Sequence, residues 1–403
     1  MCVGGIIISS TAAAFAQDAA TLEKENQDLK TRVDALELLA KKEGLIPSGT
    51  TPKFVSAMSD MTISGFVQAS YFYNLRHPAG GKSATYLWNT QDNSFSLNKI
   101  KLTVAGAPVA TDKWDATYRV SLMFGENTPA LNSNGTGNTS FNDVREGYVE
   151  MNVPVGTGLD IKAGELISLL NWESGDGGAA NPNFSQGYQW WYTGNGPAAG
   201  VQASYNFTDK FGVALRVANG LYQGPVDNNQ GKAFLGSLNF TPTDKLWFHI
   251  VGWYDDQTGG SSTSGIESIG GYQVTKKLGT GYEVDYFHFA PPSSGTATAD
   301  LWSVGGWAWY NFTTKVGVAF RADFLSQDHG VIGPPVPGGP GITPTGSTLD
   351  GGNLGSLTAT LNLTPAANLK IQPELRYDYT SYDGGLNGRK DQLIVGCGAS
   401  YLF

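Results

Sequence analysis

The chain has 403 residues, of which only 15% are charged, with a formal net charge of -9 and a pI of about 5.0. This acidic balance excludes the basic surface with which proteins bind nucleic acid. The chain has 53 glycines and 12% aromatic residues, which disfavours disorder, and lacks the roughly 18 consecutive apolar residues of a membrane-spanning helix. We therefore expect an all-β protein whose strands alternate in polarity.

The N-terminal segment has the features of an export signal followed by a short coiled coil. Residues 1–16 are apolar and end in Ala-Phe-Ala, which predicts a signal peptide, with a buried strand as the alternative. Heptad spacing over residues 17–45 predicts a helix that associates with further copies of the chain, or that packs against the protein itself. Residues 46–59 are then a linker. The predicted seam consists of Leu22, Asn26, Leu29, Val33 and Leu36.

Residues 60–403 alternate between apolar and polar with a period of two. The first strand carries Ile63 and Val67 on one face and mostly polar residues on the other, with Phe66 and Phe72 as exceptions. Seven short turns alternate with longer polar loops, which predicts sixteen strands, with eighteen as the alternative. This layout is typical of a transmembrane antiparallel β-barrel in the bacterial outer membrane. An even strand number places both termini on the periplasmic side.

Two further features favour a membrane barrel over a soluble β-sandwich. The last strand alternates to the end of the chain, and Tyr401 with Phe403 resembles the barrel-assembly signal of outer-membrane proteins. Aromatic residues also cluster beside the turns, which predicts two girdles at the membrane interfaces. The predicted girdle residues are Phe207, Phe211, Phe240, Trp247, Trp253, Tyr254, Trp307, Trp309, Tyr310, Phe312, Tyr377 and Tyr379.

Several short motifs occur together in an order that resembles one porin family. They are Asn183-Phe-Ser185, Gly200-Val-Gln-Ala-Ser-Tyr205, Ala218-Asn-Gly220, Asp227-Asn-Asn229, Lys232 and Pro373-Glu-Leu-Arg-Tyr-Asp-Tyr379. Together they resemble the β-barrel porin-2 (OmpL-like) family over residues 60–403. The resemblance implies an outer-membrane porin and favours a homotrimer. A carbohydrate porin is a neighbouring alternative.

The charged residues of the strands are predicted to face the barrel interior. An Arg or Lys facing lipid near the bilayer centre would cost about 2–4 kcal/mol, and sixteen strands leave room for an aqueous channel. The predicted function is passive diffusion of small hydrophilic solutes or ions, with a non-conducting anchor or adhesin as the alternative. The predicted channel-lining residues are Lys99, Lys101, Arg119, Arg216, Glu283, Asp285, Arg321, Asp323, Glu374, Arg376 and Asp378.

The long aromatic loop at residues 170–197 follows the fifth predicted strand, where many porins fold a loop into the barrel. Acidic loop residues facing the arginines of the wall would create a transverse field that filters ions. The alternatives are a wide solvated lumen or a further strand pair within the loop. The predicted constriction residues are Trp172, Glu173, Asp176, Tyr188, Trp190 and Trp191.

The sequence contains no set of residues that indicates catalysis or metal binding. The four histidines are far apart, and no Cys/His pattern with metal-ligand spacing is present. No histidine is placed beside a nucleophile that it could activate. We expect neither an enzyme nor a cofactor, and the expected partners are outer-membrane lipid, the permeating solutes and further copies of the chain.

Overall fold

The computed structural model describes two compact units, Met1–Met61 and Thr62–Phe403. The described residues are 24, 26–36, 61–78, 80–83, 89–128, 143–194, 196–221, 226–227, 229–256, 260–290, 298–329, 350–382 and 385–403. In the first unit, residues 26–36 are helical and exposed, whereas Leu22, the predicted signal peptide and the predicted linker lie outside the described residues. Association of this helix as a coiled coil stays a prediction. No helix within the described ranges is long and apolar enough to cross a membrane.

The second unit is a closed antiparallel barrel of sixteen strands, which confirms the predicted fold class. Each strand pairs with its neighbours in chain order, and β1 pairs with β16, so the sheet has no free edge. The strands are β1 Thr62–Asn74, β2 Ser94–Ala105, β3 Asp115–Phe124, β4 Val144–Val153, β5 Leu159–Leu166, β6 Ala198–Asn206, β7 Phe211–Ala218, β8 Ala233–Thr243, β9 Leu246–Asp256, β10 Ser262–Gln273, β11 Leu278–Ala290, β12 Ala299–Asn311, β13 Val316–His329, β14 Asp350–Ala366, β15 Leu369–Thr380 and β16 Asp391–Leu402.

Alternation along each strand separates an apolar outer face from a polar inner face. In β15, Leu375, Tyr377 and Tyr379 are exposed on the outside, whereas the charged residues between them are buried inside. Successive side chains of a strand point to opposite faces, so the sequence pattern alone determines this division. The arrangement suits a barrel that contacts lipid outside and polar groups inside.

Two β-bulges interrupt this alternation and add a polar and a charged side chain to the interior. The register shift between β1 and β2 at Gln68 leaves both Asn98 and Lys99 buried. A second shift between β3 and β4 leaves Arg145 and Glu146 buried side by side. A bulge places one extra residue in one strand, so two consecutive side chains can point the same way.

The aromatic residues near the turns do not all belong to the outer girdles. Phe207, Phe211, Phe240 and Phe248 stack in a row on the outer face, with neighbouring ring centroids 4.8–5.5 Å apart. Trp247, Trp253, Trp307 and Trp309 were also predicted in the girdles, and this is wrong for all four: they point inward, and Trp253 and Trp307 are buried. Closeness to a turn does not determine which face a side chain takes, whereas its position in the alternation does.

Candidate functional site

The loop between β5 and β6, residues 167–197, fills much of the barrel interior. Its backbone bonds the wall on several strands: Phe184 N donates to Glu374 Oε2 at 2.7 Å and Tyr188 N donates to Asp323 Oδ2 at 2.6 Å. The loop contains a 3-10 turn at Gly177–Ala179 and a short helix at Tyr188–Tyr192. Its described residues add no strand to the barrel, so the further strand pair is excluded for them.

A fully buried arginine of β13 joins the loop to the wall. Arg321 Nη1 forms an ion pair with Glu173 Oε1 at 3.0 Å, and Arg321 Nε lies 3.6 Å from Asp323 Oδ1. Arg321 also donates to the Ser185 carbonyl and, at 2.8 Å, to Thr358 Oγ1. Because charge-assisted bonds are strong and a buried unpaired charge is costly, this group fixes the position of the loop.

A second arginine, on β15, holds the next part of the loop. Arg376 Nε donates to Asp378 Oδ1 at 2.7 Å, and Arg376 Nη1 donates to the Gln186 carbonyl at 2.6 Å. Its guanidinium also lies 4.8 Å from the centroid of the Tyr188 ring, within the range of a cation–π contact. Tyr192, in the same short helix, is buried, and burial raises the pKa of its phenol.

Three buried carboxylates on β10 and β11 hold the beginning of the loop. Ligand oxygens of Glu267, Glu283 and Asp285 lie within 4.8 Å of one another, and hard cations prefer oxygen ligands of this kind. Five of the six oxygens, however, already accept hydrogen bonds from protein groups. Among these donors are the backbone N–H groups of Asn171 and Trp172, so the carboxylates serve as anchors for the loop.

Apolar contacts complete the packing of the loop and explain the exceptions to the alternation. Phe72 points inward and stacks on Phe184 with ring centroids 5.6 Å apart. Phe66 packs with Met123 against Trp190 and other loop residues. A larger cluster joins Leu170, Tyr188, Tyr192 and Leu221 to Trp253, Phe287, Leu301, Leu325 and Leu354 on the wall. An apolar residue on the inner face therefore marks a place where the loop docks.

The predicted channel-lining residues are mostly buried, whereas residues on the wall of an open channel would be exposed to water. Ten of the eleven are at most 9% exposed, because the loop and neighbouring side chains cover them. They are Lys99, Lys101, Arg216, Glu283, Asp285, Arg321, Asp323, Glu374, Arg376 and Asp378. The eleventh, Arg119, has a side chain that is 38% exposed and pairs with Glu146 at 2.7 Å. Alternation predicts the face of a residue but not whether a loop covers it.

The charged residues that stay partly exposed inside the barrel lie near the short turns. Lys162 Nζ on β5 is 3.5 Å from Glu150 Oε2 and 3.8 Å from Asp160 Oδ2, and all three side chains keep partial exposure. The predicted lining residues do not include these three, although the alternation of β4 and β5 indicates that they face the interior. The buried residues Arg145, Glu146, Glu165 and Glu267 were also missed, and the inward position of Arg145 follows from the bulge in β4.

The six predicted constriction residues all belong to the packed loop. Trp172 stacks on Trp307 with ring centroids 4.6 Å apart, and Asp176 pairs with Lys101 at 2.8 Å. Glu173 and Tyr188 contact the two buried arginines, as described above. The acidic residues of the loop therefore pair with cations of the wall and do not face them across an open space.

Comparison with known proteins agrees with this architecture. A family described as "Putative beta-barrel porin-2, OmpL-like" matches residues 60–403. The chain belongs to this family. No curated protein sequence matches the chain significantly. The family match confirms the resemblance noted in the sequence and identifies a bacterial outer-membrane β-barrel.

Solved structures with the same fold include several outer-membrane channels. The anion-selective porin from Comamonas acidovorans has a TM-score of 0.57 and is 11% identical, over 85% of this chain and 99% of that one. The channel DcaP of Acinetobacter baumannii has a TM-score of 0.55 and is 12% identical, over 85% and 97%. OprB of Pseudomonas putida has a TM-score of 0.54 and is 12% identical, over 87% and 96%. At these identities the likeness shows the fold alone.

Proposed function

We propose that this porin-family barrel is a passive diffusion channel for small hydrophilic solutes or ions, working without catalysis or a cofactor. The observation that carries the proposal is the set of partly exposed charges on the inner face, Arg119, Glu150, Asp160 and Lys162. Partly exposed charges inside a barrel need water, because desolvation would cost several kcal/mol for each ion. A hydrated lumen beside this wall is what a diffusion channel requires.

We also infer that the loop of residues 167–197 is the constriction. Trp172, Glu173, Asp176, Tyr188, Trp190 and Trp191 belong to the part of it that packs against the wall. The acidic loop residues are paired with Lys101 and Arg321, so their charge is largely compensated. Ion selectivity then depends on the partly exposed group around Arg119 and Lys162, where the solute meets charge that water still reaches.

Removing a cation from this group is expected to change ion selectivity. Lys162→Met leaves Glu150 and Asp160 without their cation, so the ratio of cation to anion permeability rises about twofold. The reversal potential of the refolded chain in a planar bilayer under a salt gradient measures this ratio. Lys245→Met, at an exposed turn position, is the matched control. Equal reversal potentials for the two variants would exclude this wall as the selectivity-determining site.

The alternative function is a non-conducting barrel that serves as an anchor or adhesin. The dense packing of the loop against the wall favours it, because ten predicted lining charges are buried. In either case we propose that both termini and the short turns face the periplasm, which agrees with the even strand number. We propose further that Tyr401 and Phe403, both exposed on the outer face, form the barrel-assembly signal.

The N-terminal helix is proposed to drive oligomerisation after cleavage of residues 1–16, with residues 46–59 as the linker. Leu29, Val33 and Leu36 are exposed in the single chain, so their apolar surface is available to further copies. Deleting residues 17–45 is expected to abolish the oligomer, a trimer by family resemblance, in chemical crosslinking. The barrel itself should keep its heat-modifiable mobility on gels. An unchanged oligomer would assign assembly to the barrel alone.

A further inference from the structure

Four tryptophans inside the barrel lie directly opposite four glycines on neighbouring strands. Trp247 and Trp253 of β9 pair with Gly271 and Gly265 of β10, and Trp307 and Trp309 of β12 pair with Gly281 and Gly279 of β11. All eight positions are on the inner face by the alternation of their strands. Gly271 and Gly281 pair with each other, so Trp247 and Trp307 lie in one row across four adjacent strands; Trp253 and Gly265 lie six residues along from Trp247 and Gly271.

The indoles occupy the space that the glycines leave free. A Cβ atom on Gly271 would lie 2.6 Å from Trp247 Nε1, and one on Gly279 would lie 2.2 Å from Trp309 Cζ2. Over Gly281 the covering indole is that of Trp172, which comes from the loop and lies 2.4 Å from the same point. Only glycine permits this close approach of an aromatic ring to the strand backbone.

These tryptophans differ in their access to the lumen. Trp253 and Trp307 are buried, 6% and 3% exposed, as expected of aromatics that only fill space. Trp172, Trp247 and Trp309 keep partial exposure although they face inward. Trp172 also stacks on Trp307 and lies 5.8 Å from Trp309 between ring centroids. Trp247 lies over Gly271, which pairs with Gly281 beneath Trp172, so these three indoles are neighbours on the inner wall and are called the tryptophan surface below.

Polar groups accompany the tryptophan surface among the described residues. The ring of His249 lies 5.0 Å from that of Trp247. The carboxylates at the Trp172 end, Glu173 and Glu283, are buried and accept hydrogen bonds from the protein. This arrangement favours a neutral ligand with one apolar face and several hydroxyl groups over an organic cation.

We propose that Trp172, Trp247 and Trp309 bind neutral saccharides inside the barrel, with the C–H face of a pyranose ring on the indoles. The proposal rests on the proposed channel function and names a solute class for it. Aromatic side chains supply the apolar contact at low cost in conformational entropy, because their rings have few rotatable bonds. The imidazole of His249, whose ring lies 5.0 Å from that of Trp247, can then bond a hydroxyl group.

The test is block of the ion current of the refolded full chain by maltotriose. Maltotriose is expected to reduce the current in a saturable manner, whereas a polyethylene glycol of similar mass, which lacks a pyranose ring, does not. Trp247→Ala and Trp309→Ala should each raise the half-blocking concentration at least about fivefold. Trp302→Ala, on the lipid-facing side of β12, is the matched control and should leave it unchanged. The conservative Trp247→Phe should restore part of the block.

The outcomes separate the saccharide site from the channel function. A conducting barrel that maltotriose does not block, or that it blocks equally in the Trp247, Trp309 and Trp302 variants, overturns the site and leaves the channel intact. A silent barrel overturns the channel, and calorimetric titration of the detergent-folded chain with maltotriose then decides the site. Heat-modifiable gel mobility shows that each variant is folded before it is compared.

Discussion

Replacing residues 173–190 by a short Gly-Ser linker is expected to raise the single-channel conductance at least about twofold, because a sixteen-stranded barrel without an inward loop has a wide aqueous lumen. The deletion removes the ion pairs of Glu173 and Asp176 with the wall. Arg321, Arg376 and the carboxylates near them would then contact water and line the enlarged channel. Planar-bilayer recording of single steps, together with the size limit for uncharged solutes, measures the change.

A deletion of the same length between β13 and β14 provides the control for this experiment. Removing residues 331–348, which lie outside the described part of the chain, should leave conductance unchanged if residues 167–197 alone set the limit. Equal conductance and an equal solute size limit in the parent chain and the 173–190 deletion would contradict the constriction. The charges beneath the loop would then be structural only.

Arg321→Met is expected to destabilise the barrel by about 3–5 kcal/mol, since removing one member of a buried ion pair leaves an uncompensated charge. Glu173 and Asp323 would lose their cation in a site with no exposed side chain among the three. Urea unfolding of the detergent-folded chain, followed by tryptophan fluorescence, measures the loss. The same variant should also show more frequent current fluctuations, because the loop loses a main attachment.

Two further variants test whether the loss of stability arises because the ion pair of Arg321 is buried. Arg76→Met breaks an exposed ion pair with Asp391 and should cost at most about 1 kcal/mol. Adding Glu173→Gln to Arg321→Met should recover part of the lost stability, because one of the stranded carboxylates becomes neutral. A loss for Arg321→Met no larger than that for Arg76→Met would contradict the role of the buried group.

The barrel could be predicted from the sequence because the face that a residue takes depends only on the alternation within its own strand. A period of two along β15 places Leu375 and Tyr377 outside and Glu374 and Arg376 inside without knowledge of any other strand. The count of short turns gave the sixteen strands for the same reason. The errors for Trp247, Trp253, Trp307 and Trp309 arose where closeness to a turn was used in place of alternation.

The interior could not be predicted to the same depth because it depends on contacts between distant residues. Lys99 meets Gly175, and Glu374 meets Phe184, across large separations in the chain that no periodicity records. The bulge that turns Asn98 inward beside Lys99 is likewise a property of strand pairing. Phe66 and Phe72, inner-face residues of the wrong polarity, were the sequence signal that the loop packs against this wall.

The central claim, that this barrel conducts, is tested most directly by single-channel recording of the refolded chain in a planar bilayer under a salt gradient. We expect discrete open steps, smaller than those of the 173–190 deletion, and a reversal potential that moves toward cation preference in Lys162→Met. A correctly folded barrel that stays silent both with the loop and without it would contradict the channel and favour the anchor or adhesin.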